Sequence, residues 1–254
     1  MLQGTTRGQR FSLNFGTWLL WDFSPVVEPT TIRVLVIALS RKWSIHQLDV
    51  HDTFLNGDLD EEVYMEQPPD FFNSHALTYV CKLTKTVYGL KQSPRAWFHK
   101  FNTYLQHLGF TSSRSNSSMF IWFSIAAMVI FLVYVDDIII NGSTFSLVHS
   151  LITTINTQFA LKDLGPLSYF LSLEVQLTSS SIWLHQSKYL WDLLQHAAML
   201  DCKHCSTPMA FGPTLSLYDG EPFSDLSLYR SIVGALQYYT LTRSDIYFFV
   251  NKVC

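Results

Sequence analysis

The sequence predicts an α+β fold, and three features carry that prediction. Residues 93–108 repeat apolar side chains at helical spacing, namely Trp97, Phe98, Phe101, Tyr104, Leu105 and Leu108, and residues 187–198 do the same. The stretches FLVYV and III are β-branched and aromatic, as buried strands are. Between those stretches stand Asp136 and Asp137, which mark a turn.

In chain order, residues 1–22 show no periodicity. Pro25 and Pro29 punctuate a loop, and a helix is expected from about Thr30. Gln47 to Val50 reads as a short strand, followed by the turn-prone pair Asn56-Gly57. Glu61 to Met65 alternates until Pro68-Pro69 closes it. Ser93-Pro94 supplies an N-cap with proline at the first helical position, and Gly109 ends that helix. Residues 111–118, TSSRSNSS, form a loop by composition. A helix is expected over Ser146–Phe159. Tyr169–Val175 and Ile182–Leu184 make a strand pair around Ser179–Ser181, and helices follow over Ser187–Ala198 and Ser227–Tyr239. Cys254 comes just after an apolar segment with no evident cap, which reads as a cut rather than a natural end.

Composition narrows the function. A chain of 254 residues suits one or two domains with a full core and excludes a disulfide-stapled miniprotein. Aromatic content of 15% argues against a wholly disordered chain. A net charge of -3 excludes a strongly basic coat for nucleic acid, though not a local basic groove. Four cysteines in so long a chain do not make a disulfide framework, and a reducing setting fits them better. No secretory signal opens the chain. Met119 to Val135 is apolar enough to raise a membrane question, but the two aspartates that follow would be costly in lipid. Two buried strands joined by a turn fit it better.

The pair Asp136-Asp137 is the most informative feature. Successive side chains on a strand point to opposite faces, so two adjacent aspartates serve one site only at a hairpin tip. Burying them unpaired is expensive, and a divalent metal is the economical counter-charge. Asp49, in QLDVHDTFLNG, lies in a comparable setting. Together with Asp136 it could hold two metals for phosphoryl or nucleotidyl transfer. The bland alternative makes each aspartate a turn residue or a cap. LKQSPR (residues 90–95) is a helix start with nearby Lys91 and Arg95, suited to phosphate, and equally an ordinary capped surface helix. Cys202 and Cys205 have a C-x2-C spacing, but no second pair stands nearby to complete a zinc site.

Five blocks in order resemble copia-type retrotransposon reverse transcriptases: QLDVHDTFLNGD, VYMEQPPDFF, VCKLTKTVYGLKQSPRAWF, LVYVDDIII and LKDLGPLSYF. Later stretches, YRSIVGALQYYTLTRSDI among them, continue the match, so that it covers about Phe23 to Cys254. The resemblance implies a right-hand polymerase, with fingers, an antiparallel palm sheet carrying the acids and a helical thumb-like C-terminal part. On this reading residues 1–22 are unassigned, 23–176 are fingers and palm, and 177–254 are a thumb- or connection-like segment cut before RNase H. The implied activity is RNA-directed DNA polymerisation, with an inactive remnant that at most binds nucleic acid as the alternative. The implied catalytic residues are Asp49, Asp136 and Asp137, with Val50 joining them as metal ligands for two Mg²⁺, or Mn²⁺. Phe54 corresponds to the bulky residue under the incoming sugar, although a lone Phe ordinarily packs a core. Lys91, Gln92, Ser93, Arg95 and Tyr134 correspond to contacts with template or nucleotide. Lys162 corresponds to a lysine that protonates departing pyrophosphate, and reads as readily as a solvated lysine. The implied partners are an RNA template, a DNA primer, a dNTP and other parts of a retroelement polyprotein, with no membrane. The implied location is intracellular, in a cytoplasmic virus-like particle or in the nucleus.

Residues 1–22 do not resemble the family's fingers segment, and a shifted reading frame or mis-spliced start would account for that. Thr53 stands where alanine is usual, Ser172 where glycine is typical and Ser244 where proline is common. Of these, Ser172 matters most if the backbone there needs a positive φ.

Overall fold

The computed structural model describes residues 2–3, 10–11, 28–68, 71, 75, 78–178, 181–205 and 223–254. Contacts divide the chain into two units, one comprising 1–25 and 30–167, the other 26–29 and 168–254. Most of residues 1–22, the expected loop around Pro25, Pro69 and Ser179 lie outside the described residues.

The first unit begins with the short strands β1 (Leu2–Gln3) and β2 (Arg10–Phe11), then helix α1 (Pro29–Ser40) and strand β3 (Ser44–Val50). A single 3-10 turn over Thr53–Asn56 leads to β4 (Asp58–Met65) and β5 (Val80–Lys85). Helix α2 (Ser93–His107) follows, then β6 (Thr111–Ser112), β7 (Met119–Phe123), β8 (Met128–Tyr134) and β9 (Asp137–Gly142). Helix α3 (Phe145–Asn156) and β10 (Leu161–Pro166) complete the unit. Its main sheet has six antiparallel strands in the order β10-β3-β9-β8-β7-β6. A smaller sheet runs β1-β5-β4-β2.

Alternation along the central strands explains the layers. Leu48, Val50, Phe131, Val133, Ile138 and Ile140 point to one face, where they pack with Trp97, Phe101 and Leu105 of α2 and Val148, Ile152 and Ile155 of α3. The opposite face of the same strands carries Ile130, Leu132 and Ile139, all buried as well. A strand covered on both faces reads as a continuous apolar run, which is why residues 119–140 resemble a membrane segment. Among the described residues no helix is long and apolar enough to cross a membrane.

That run holds three strands, not the expected two. Ser124, the one clearly polar residue inside Met119–Val135, makes the extra turn. Ser124 N donates to Ala127 O at 2.8 Å, and the Ser124 hydroxyl accepts from Ala126 N and Ala127 N at 3.3 and 3.1 Å, closing β7 onto β8. The start of α2 also differs from expectation. The helix begins at Ser93 with Gln92 as its cap residue, and no side chain caps it. The Ser93 hydroxyl is instead spent on Val87 O at 2.7 Å. Its far end matches expectation: Gly109 adopts φ 88°, with Gly109 N donating to Gln106 O and Phe110 N to Leu105 O, the Schellman pattern.

The second unit contains β11 (Tyr169–Phe170), β12 (Leu173–Leu177) and β13 (Ile182–His185) as one antiparallel sheet. Helices α4 (Ser187–His196), α5 (Leu226–Tyr239) and α6 (Tyr247–Val253) accompany it. Asp225 caps α5 by accepting from Ser227 N and Leu228 N. Tyr189 and Tyr238 meet edge to face at 5.2 Å, and burial pushes the Tyr189 phenol up to about 12. Between β11 and β12 the chain turns through Leu171 and Ser172, whose φ values are 47° and 63°. The strand expected over 169–175 is thereby two strands, and Ser172 occupies the left-handed region that favours glycine.

Candidate active site

Asp49 lies on β3 between Leu48 and Val50, both of which face the core. Alternation therefore sends Asp49 to the opposite face. Its register partner on β9 is Asp137, and its register partner on β10 is Lys162. Directly opposed residues on antiparallel strands have Cβ atoms roughly 4.5–5.5 Å apart, so strand pairing alone gathers these three side chains. Gln47, two residues before Asp49 on the same face, is buried and hydrogen-bonds the Asp137 side chain.

The second pair of acids is placed by a hairpin. Strands β8 and β9 are joined by a two-residue turn, Val135-Asp136, with Tyr134 opposite Asp137. Asp136 thus sits in the turn while Asp137 opens β9. Val135 adopts φ 56°, a conformation that costs a β-branched residue more than most. Two bonds hold the turn: Trp97 Nε1 donates to Val135 O at 2.7 Å, and Val50 N donates to Asp136 O at 3.1 Å.

Asp137 lies in the field of the other two carboxylates. Burial first, and then the charges of Asp136 and Asp49, together push the Asp137 carboxyl up to about 6, with the Gln47 hydrogen bond opposing them. Among the described residues no three His, Cys, Asp or Glu side chains form a ready-made metal cage. Val50 has its side chain in the core, so only its carbonyl could serve, and that carbonyl already accepts the Thr53 hydroxyl at 2.7 Å.

Beyond Asp49 the backbone bends sharply. Asp52 takes the left-handed conformation (φ 48°, ψ 44°), and Phe54 follows in the 3-10 turn. The Phe54 carbonyl accepts from Gly57 N at 3.0 Å and from the Thr86 hydroxyl. A Cβ on Gly57 would collide with the Thr86 hydroxyl and lie 3.2 Å from Ala96 Cβ and Trp97 N, so glycine is required by close approach. The Phe54 ring is half-buried and meets Tyr88 edge-on, centroids 4.5 Å apart. Burial raises the Tyr88 phenol, and so do the charges of Asp136, Asp52 and Asp49, which places Tyr88 within the field of the site.

The remaining sequence candidates divide. Lys162 is exposed and faces Asp49 across the strand pair. Tyr134 is buried, its hydroxyl paired with Thr31 of α1 at 2.6 Å. Lys91 and Arg95 are exposed at the start of α2, and Gln92 and Arg95 line an open groove along that helix with Asp58, His99 and Lys100. Ser93 is fully buried. This helix start is tied to the acids through Trp97. Sequence reasoning missed Gln47, Thr31, Trp97 and Tyr88 as members of the site. Gln47 carried a usable signal, being two residues from Asp49 on one strand.

A family model described as reverse transcriptase (RNA-dependent DNA polymerase) matches residues 8–211. The match begins before Phe23, where the block-by-block resemblance starts. The chain is 44% identical over 232 residues to the retrovirus-related Pol polyprotein from transposon RE1 of Arabidopsis thaliana, which covers 91% of this chain and 16% of that protein. It is 38% identical over 235 residues to the corresponding polyprotein from transposon TNT 1-94 of Nicotiana tabacum, covering 88% and 18% respectively. A putative transposon Ty5-1 protein of Saccharomyces cerevisiae is 29% identical over 201 residues, 78% of this chain and 65% of that one. The chain therefore spans about a sixth of the RE1 polyprotein's length.

Proposed function

This chain belongs to the reverse transcriptase (RNA-dependent DNA polymerase) family, as that of copia-type transposons, and from that premise we propose that it extends a DNA primer along an RNA template by two-metal nucleotidyl transfer. The observation that carries the proposal is the register of β3 against β9, which sets Asp49 opposite Asp137 with Asp136 in the adjoining turn. The six-stranded sheet would be the palm, part of the first unit the fingers, and the second unit a thumb- or connection-like segment.

In this reading the primer 3′-hydroxyl releases its proton to water as its oxygen bonds to the α-phosphorus of a dNTP, while the bond from that phosphorus to the bridging oxygen breaks and pyrophosphate leaves. Two Mg²⁺ ions, when bound, would supply charge stabilisation at the attacking and leaving oxygens, with Asp49 and Asp136 as principal ligands and Asp137 alongside. The chain's own residues do the rest. Gln47 fixes the Asp137 carboxylate. Lys162, facing Asp49, is the proton donor to departing pyrophosphate. Phe54 fills the space a 2′-hydroxyl would need, which favours dNTPs over rNTPs. Lys91 and Arg95 with the amides at the start of α2 attract template phosphates, a contribution that falls steeply with salt. Tyr134, opposite Asp137 and held by Thr31, steadies the hairpin beside the acids. In its native context the chain would act as one part of a longer Pol polyprotein.

The test is primer extension on an RNA template with Mg²⁺ and dNTPs, beside an Asp136→Asn control. Incorporation that disappears in the control supports the reading. Retained template binding without any incorporation would mark the chain as an inactive remnant.

A further inference from the structure

Phe54 sits on a single, short 3-10 turn, beside Leu55, which is exposed. Its backbone is fastened by Gly57 and Thr86, but those bonds end at the carbonyl and leave the side chain to be held by its surroundings. On one side Phe54 rests against the edge of the core. On the other it meets Tyr88 at 4.5 Å with the rings inclined at 64°, the short end of the range for edge-to-face pairs.

Tyr88 itself is firmly placed. It is the second residue of a turn over Val87–Leu90, in which Leu90 N donates to Val87 O at 3.4 Å and Gly89 adopts φ 94°, as the third position of a type II turn requires. The fully buried Ser93 locks that turn through its bond to Val87 O. Its phenol reaches the Thr53 side chain at the start of the Phe54 turn. Tyr88 as a residue remains 46% exposed, so it closes no core. It packs against Phe54 and lies within the field of Asp136, Asp52 and Asp49.

We propose that Tyr88 is a positioning residue for Phe54, a buttress that fixes the Phe54 ring against the sugar of the incoming nucleotide, so that discrimination between dNTP and rNTP belongs to the pair. This rests on the polymerase reading above. Without the buttress the Phe54 side chain can swing toward the space Tyr88 vacates and admit a 2′-hydroxyl.

The test compares kcat/KM for a dNTP and the matching rNTP in the unaltered chain, Tyr88→Leu, Tyr88→Phe, Tyr88→Trp and Phe54→Ala, each first shown to melt cooperatively. Tyr88→Leu is expected to lower the dNTP preference by up to about tenfold, mainly through faster rNTP incorporation. Tyr88→Phe keeps the ring and should keep the preference. Tyr88→Trp enlarges the buttress and should slow both nucleotides, the rNTP more. If Phe54→Ala abolishes the preference but Tyr88→Leu slows both nucleotides equally or changes nothing, this inference fails while the polymerase reading stands. If Phe54→Ala leaves the preference intact, or the unaltered chain incorporates nothing, the underlying reading fails and takes this one with it.

Discussion

The indole of Trp97 donates to the carbonyl of Val135 at 2.7 Å, so a helix side chain is bonded to the turn that carries Asp136. Trp97 is itself buried, against Phe101 and Phe159 at 5.1 and 5.4 Å between centroids. The bond therefore transfers the rigidity of the core to a turn that Val135 would not choose for itself, with φ 56°.

Trp97→Phe keeps most of the packing and removes the donor. It should destabilise the chain by about 1–3 kcal/mol and reduce incorporation more than that loss of folded protein explains. Urea unfolding and primer extension on the same preparation separate the two. Equal activity per folded molecule would show that the turn holds without the indole.

Ser172 and Leu171 both occupy the left-handed region, and neither is glycine. Ser172→Gly should raise stability by about 1 kcal/mol, because the native backbone is one that glycine adopts without a Cβ penalty. Denaturant midpoints check this, and a loss of stability would mean that the serine side chain gives more than its backbone costs.

Asp137 titrates at about 6 in the folded chain, above its ordinary 3.8. The folded state thus holds a proton that the unfolded state has released, and stability falls as pH rises through the window from about 4 to about 6. Asp137→Asn should therefore stabilise the metal-free chain by about 1–2 kcal/mol at pH 7, solvent screening of the half-buried carboxyl reducing the effect, and the gain should shrink toward zero at pH 4. Urea midpoints in EDTA at the two pH values are the measurement. A gain independent of pH would exclude charge as its source.

Gly57→Ala places a methyl group against the Thr86 hydroxyl, Ala96 and the Trp97 amide. Overpacking of this kind costs about 1–3 kcal/mol. Because the same turn carries Phe54, the variant should also show a raised KM for dNTP. Thermal unfolding and nucleotide titration would reveal both, and an unchanged melting point would show that α2 can shift to make room.

Much of this fold could be read from side-chain spacing. The helix ending at Gly109, the strand bearing Asp49 and the turn at the aspartate pair all follow from local rules. What could not be read has physical reasons. Strand β10 gives no strand signal because Lys162, Asp163 and Leu164 are exposed at a sheet edge, where alternation is not imposed. The break at Ser124 is hidden because strands buried on both faces erase the periodicity that would reveal it. The departure from glycine at Ser172 matters only where the backbone needs a positive φ, and the backbone there has one. Tyr88 was invisible because its role depends on two turns far apart in sequence that meet only in the folded chain. Gln47, by contrast, lay in plain view two residues from Asp49.

Strand β3 has a further consequence for how the chain is made. It is bordered by β9 and β10, yet it ends at Val50 while those partners finish at Gly142 and Pro166. During synthesis the strand bearing Asp49 leaves the ribosome long before either neighbour exists, with both hydrogen-bonding edges open. Pairings of such long range form slowly, and an unpaired strand is a place where chains join one another wrongly. The residues that bring the acids together are therefore also those that make this chain dependent on the order and timing of its own emergence.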